Sequence, residues 1–226
     1  MHIEPGVVEG AKITLSFVTA AGALGYTAKL AMSSLKRDGI SPLVARGLIA
    51  TLLVFSFFQV LPHYAVGVSE VHLILGSTLF LMFGAGPAAI GLAMGLLMQG
   101  LFFSPTDLPQ YGMNVTSLLV PLLAVDALAR RVIPKQTAYV DVKYSQALKL
   151  STAFQGGVVA WVAFWAVYGQ GFGAENLAQV FSFGAAYALV IVVEPLIDLA
   201  VLATAKSLHQ LSKSSLFHSR LYQSAA

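Results

Sequence analysis

Residues 44–62 read VARGLIATLLVFSFFQVLP. After Arg46 the stretch holds no charged side chain, and its polar groups are Thr51, Ser56 and Gln59. A helix needs about 20 predominantly apolar residues to cross the hydrocarbon core of a bilayer, so this run reads as a transmembrane span. The pattern recurs along the chain. Of 226 residues, 57% are hydrophobic and 10% charged, whereas a soluble domain carries about 25% charged residues. The fold class is therefore all-α, a polytopic membrane protein built as a bundle of six to seven transmembrane helices. No stretch is left for a sizeable soluble domain. Residues 1–205 read as one transmembrane domain and 206–226 as a basic tail.

Seven apolar segments can be marked, at about 8–35, 44–62, 71–85, 87–103, 112–133, 146–168 and 176–205. The third and fourth are short, and GAGP (84–87) makes a tight turn between them. Lys and Arg set the orientation, because cytoplasmic loops carry them in excess. Lys36, Arg37 and Arg46 flank the first connection, Arg130, Arg131, Lys135, Lys143 and Lys149 crowd the fifth, and Lys206, Lys213 and Arg220 follow the last segment. The alternate loops 63–70, 104–111 and 169–175 contain none. Seven spans with the N-terminus outside and the C-terminus cytoplasmic satisfy this distribution. The basic residues share no soluble face, so the net charge of +3 gives no argument for nucleic acid. The chain lacks cysteine, which excludes disulfides and thiolate metal sites and leaves nitrogen and oxygen as ligands. The first residues lack the basic and apolar regions of a signal peptide, so Met1 is expected to stay in the mature protein.

The orientation gathers several polar groups at the outer face. The chain opens MHIEPG. A free amine, the amide nitrogen of His2 and the His2 imidazole Nδ1 close one five-membered and one six-membered chelate ring. Three nitrogens in a plane suit Ni(II) or Cu(II), and binding releases protons, so affinity falls in acid. On six residues alone, an ordinary exposed histidine is the simpler account of His2. A fourth ligand is available in His72, which opens segment three with Glu70 just before it; His63, after Pro62, fits helix termination better. Elsewhere, Glu194 and Asp198 stand one turn apart on one helix face, as do Asp126 and Arg130. A carboxylate pair inside a membrane domain serves either a structural or coupling role or a cation relay. Gly91 and Gly95 form a GxxxG face that lets helices approach closely, and the small residues Ala20, Ala21, Gly22, Ala23 and Gly25 give segment one a smooth side.

Taken in order, five blocks resemble a known family. MHIEPG, VSEVHLILGST (68–78), FGAGPAAIG (83–91), GLLMQGLFF (95–103) and DLPQYGMNVTSL (107–118) are similar to the signatures of the CbiM/NikM-type substrate-capture subunits of energy-coupling-factor transporters. These import cobalt or nickel ions. The resemblance implies that Met1 gives its amine, His2 its amide and imidazole nitrogens, and His72 the last planar ligand. It implies that Asn114 orients the N-terminal segment. It also implies a transmembrane coupling subunit, cytoplasmic ATPase subunits and a small accessory membrane subunit as partners, a place in the cell inner membrane, and a link to cobalamin biosynthesis. Two departures stand out. Glu4 precedes Pro5 where many members have the proline first, and Val71-His72-Leu73 replaces the family's Ser-His-Pro. Glu70 is expected to compensate as a partner for an imidazole N–H.

The chain carries no GxxxxGK[ST] phosphate loop and so no ATPase site of its own. It is expected to be a transporter subunit and not an enzyme, with Co(II) or Ni(II) as cargo and no catalytic cofactor. A stand-alone secondary transporter or channel needs a polar path across the membrane, which Glu194 and Asp198 supply only in part. A membrane metalloenzyme needs an open metal position and a base nearby, for which Glu70 and His63 are the candidates.

Overall fold

The computed structural model describes residues 2–211, so Met1 and residues 212–226 lie outside the described residues. Among the described residues seven α-helices follow one another: α1 (Ile13–Asp38), α2 (Ile40–Gln59), α3 (Gly76–Phe83), α4 (Ala85–Phe102), α5 (Tyr111–Val132), α6 (Tyr144–Gln170) and α7 (Ala174–Leu211). A hairpin, β1 (Tyr64–Val66) and β2 (Ser69–Val71), joins α2 to α3. Six helices have 18 residues or more, hence about 27 Å or more at 1.5 Å per residue, the scale of the hydrocarbon core. Five of them, α2, α4, α5, α6 and α7, combine that length with the apolar composition of a membrane span. The protein is thus a multi-pass, all-α membrane protein. Helix α7 continues beyond residue 205, the limit expected for the membrane domain.

The third segment departs from expectation. It is not a spanning helix over 71–85. Residues 72–75 have no regular structure, and α3 has only eight residues. Leu75, at its N-cap, takes a left-handed conformation with φ 53°. The physical reason is that the amide N–H groups of Ile74 and Leu75 donate to the carboxylate of Glu194 on α7, which draws the backbone away from a helical ladder. This segment still crosses the domain. His72 sits beside His2 before α1, while Gly84 shares a cleft with Ser34 and Arg37 at the far end of α1.

Helices α2 and α4 pack most intimately. A Cβ on Gly91 would fall 2.5 Å from the Ala50 Cβ, and one on Gly95 would fall 2.6 Å from Val54 Cγ1. The GxxxG face is therefore spent within the chain. Segment one divides its small residues: Ala20 and Ala23 are buried, whereas Ala21, Gly22 and Gly25 are exposed, with open space over both glycines. Asp126 and Arg130 pair at 2.7 Å on α5.

The contrast between these faces is testable. Gly91→Leu is expected to destabilise the detergent-solubilised protein by about 1–3 kcal/mol through overpacking. Gly22→Leu should not destabilise it, since its Cβ would enter open space and leucine favours a helix interior over glycine. Thermal unfolding of the two variants beside wild type measures the difference.

Candidate metal centre

The centre is assembled by an N-terminal strand that the local sequence does not announce. Ile3 forms an antiparallel bridge with Ser69 of β2. Around it, the Glu4 N–H donates to the Val68 carbonyl at 3.1 Å, the Glu70 N–H to the His2 carbonyl at 2.9 Å, and the Ser69 hydroxyl to the same carbonyl at 2.9 Å. The Ile3 N–H points the other way and donates to Asn114 Oδ1 of α5 at 2.8 Å. Ile3 itself is fully buried. An apolar side chain, the two backbone hydrogen bonds of one bridge and one amide acceptor thus hold residues 2–4 in a fixed register. The hairpin that receives them turns at Gly67. Its φ is +62°, and a Cβ there would fall 2.1 Å from the Gln179 carbonyl oxygen, so both conformation and space require glycine.

This register carries His2 into the interior. His2 is 3% and His72 1% exposed, their ring centroids lie 5.4 Å apart, and the edge-on ring of Phe58 closes one side at 4.9 Å from His72 and 5.9 Å from His2. His72 Nε2 is 2.8 Å from Glu70 Oε2. Its other ring nitrogen, Nδ1, is buried without a partner among the described residues. His2 Nδ1 lies 3.1 Å from Asp107 Oδ2, though not in hydrogen-bond alignment, and His2 Nε2 is likewise buried and unpaired among the described residues. Buried imidazole nitrogens without partners are rare in a finished core. His2, Glu70 and His72 each offer a ligand atom, and these atoms all lie within 4.8 Å of one another.

Burial pushes the pKa of His2 below its ordinary value and that of His72 well below it, so both rings are held neutral. A neutral imidazole is the form that binds a metal ion. Glu4 is shifted upward, first by burial and then by the nearby carboxylates of Glu70 and Asp107. The carboxylates of Glu4, Glu70 and Asp107 therefore lie close enough to one another to interact beside the two rings.

Among the residues singled out by sequence, His2, Glu70 and His72 come together and Asn114 reaches the same segment. Met1 lies outside the described residues. Glu194 and Asp198 are elsewhere, bonded to the segment following His72. Two further neighbours carry little signal in the sequence. Asp107, in the loop SPTDLPQYGMN, is visible there only as an acid between two apolar runs. His63, whose place after Pro62 suggests a helix terminator, stacks its ring on His72 with centroids 4.9 Å apart and planes 13° from parallel.

Fold and site define a multi-pass membrane protein with a buried nitrogen-and-carboxylate cluster. The chain belongs to the CbiM family, the cobalt uptake substrate-specific transmembrane region, whose model matches residues 2–210. It is accordingly a component of transition-metal transport. No curated protein matches it in sequence. Two crystal structures share its fold at 15% identity. One, described as a truncated transition metal transporter, superposes with a TM-score of 0.67 over 90% of this chain and 97% of its own. The other, described as a transition metal transporter, superposes with a TM-score of 0.66 over 98% of both chains.

Two outcomes follow for the strand. Asn114→Ala removes the acceptor of a buried N–H and should cost about 1–3 kcal/mol of local stability, read as faster amide exchange at Ile3; Asn114→Asp, which keeps an acceptor, should restore protection. Acid should loosen the same strand. The folded pKa values of His2 and His72 lie below the ordinary 6.5, so the opened state binds more protons. Protection of the Ile3 and Glu70 amides, corrected for intrinsic exchange, should fall as pH drops through about 6.5. Constant protection to about pH 5 would count against neutral, buried rings.

Proposed function

We propose that this chain is the membrane-embedded capture subunit of an ATP-driven, energy-coupling-factor importer, with Co(II) or Ni(II) as its cargo. The observation that carries this reading is the group His2, Glu70 and His72, in which both histidines are buried and carry unpaired imidazole nitrogens among the described residues while Glu70 is half-buried. In the proposed site, the Met1 amine and the His2 amide and imidazole nitrogens supply three ligands, and His72 Nδ1 supplies the fourth. Glu70 then acts through the other face of the His72 ring. Its carboxylate fixes the ring orientation and tautomer and strengthens the imidazole as a ligand. Asn114 holds the strand that carries His2. The carboxylates of Glu4, Glu70 and Asp107 draw the cation to the mouth.

Planar nitrogen ligation favours Ni(II) among the two candidate ions. The sequence carries no GxxxxGK[ST] phosphate loop, and ATP hydrolysis is assigned in this reading to partner subunits. A transmembrane coupling subunit and cytoplasmic ATPase subunits fill those roles, with a small accessory membrane subunit beside them, in the cytoplasmic membrane.

Ni(II) and Co(II) binding to purified protein tests the ligand set. A native Met1 terminus should bind tightly. Extension by one residue should abolish binding, and His72→Ala should weaken it by about 100-fold or more, beyond the loss typical of an outer-shell partner. Intact binding in the extended protein would remove the amine from the site. Uptake by cells should require co-expressed coupling and ATPase subunits; uptake by this chain alone would identify a secondary transporter.

A further inference from the structure

We infer that Glu194 is a positioning residue for the metal centre: its buried carboxylate clamps the unwound segment 72–75 and so fixes where His72 stands. The inference rests on the ligand role proposed for His72. Glu194 is fully buried on α7. Three donors converge on its two oxygens. The Ile74 N–H reaches Oε1, while the Leu75 N–H, at 3.0 Å, and the Gln155 Nε2 of α6 share Oε2. Gln155 is oriented in turn by Tyr187, whose hydroxyl donates to Gln155 Oε1 at 2.8 Å. One turn further along α7, Asp198 accepts the hydroxyls of Ser77 and Thr78.

The arrangement answers two needs at once. Within a membrane domain, a non-helical backbone is tolerated only where the protein satisfies its polar groups. Ile74 and Leu75 lie in such a stretch, and both of their N–H groups are satisfied by Glu194. Leu75 also occupies a left-handed conformation that bulky L-residues seldom adopt. Two backbone donors on two oxygens of one carboxylate set the direction of the chain at positions 74 and 75, two residues after the histidine. Asp198 instead fastens the helix that follows, through Ser77 and Thr78. The two acids therefore have separate tasks, although they share a helix face.

Glu194→Gln separates positioning from bulk. The amide keeps the shape but replaces one acceptor oxygen with a donor, so at least one of the three N–H groups meets another donor. The experiment uses the full-length protein with a native Met1 and Ni(II) as probe. Backbone amide exchange at His72, Ile74 and Leu75 is read without metal, and Ni(II) affinity and its ligand-field absorption band with metal. Glu194→Gln should speed exchange at Ile74 and Leu75 about tenfold, weaken Ni(II) by about tenfold and shift the band, as loss of an orienting partner does. Asp198→Asn, also buried but bonded beyond the segment, should leave the band in place and the affinity within about threefold. Gln155→Met removes one donor and spares both backbone bonds, so it should give a smaller change in the same direction and serves if Glu194→Gln does not fold. Unchanged exchange at Ile74 and Leu75, a wild-type band and affinity in Glu194→Gln, or equal losses in both acid variants would overturn the inference. Wild-type protein that binds no Ni(II) would sink the metal reading instead, and the exchange measurement alone would then decide the clamp.

Discussion

Every backbone N–H inside a membrane domain needs an acceptor, because no water is there to supply one. Six long helices meet that demand internally. The segment from His72 to Leu75 does not, and the structure is arranged around its exception. The chain leaves β2, runs without a ladder past the buried rings, and re-enters a helix only at Gly76. A carboxylate on the last helix receives the two orphaned donors. The cost of burying an acid in an apolar helix is offset by the hydrogen bonds it accepts there.

The exception also has a use. A continuous third helix would place a side chain at position 72 on a helix face, with its ring confined by neighbouring turns. The unwound stretch instead lets the His72 ring enter a pocket walled by Phe58, His63 and His2. The hairpin before it offers an edge on which the N-terminal residues pair. Strand pairing, a buried isoleucine and the Asn114 amide act on three different sides of residues 2–4. The result is that residues 2–4 are held in one register, as the proposed ligand set requires.

Close helix packing supports this core without taking part in its chemistry. Glycines on α4 let α2 approach to backbone contact, and α1 and α5 also pack on α4. The small residues left open on α1 differ in kind, since two of its glycines face unfilled space.

The sequence by itself determined the membrane class, because length and apolarity of a run decide whether a helix can span. It marked five of the long helices to within a few residues, and the resemblance of its blocks to a known family pointed to His2, His72 and Asn114, with Glu70 beside them, as candidates. It also showed Glu194 and Asp198 as a pair, since residues four apart share a helix face. Only the tertiary structure decided what that pair does. Hydropathy registers the apolarity of LILGSTLFLMFG and cannot register that two of its N–H groups bond to an acid 120 and 119 residues away. The strand pairing of Ile3 with Ser69, the approach of Asp107 to His2 and the stacking of His63 on His72 are likewise contacts between distant positions. Local pattern carries no record of them, because each exists only once the helices have packed.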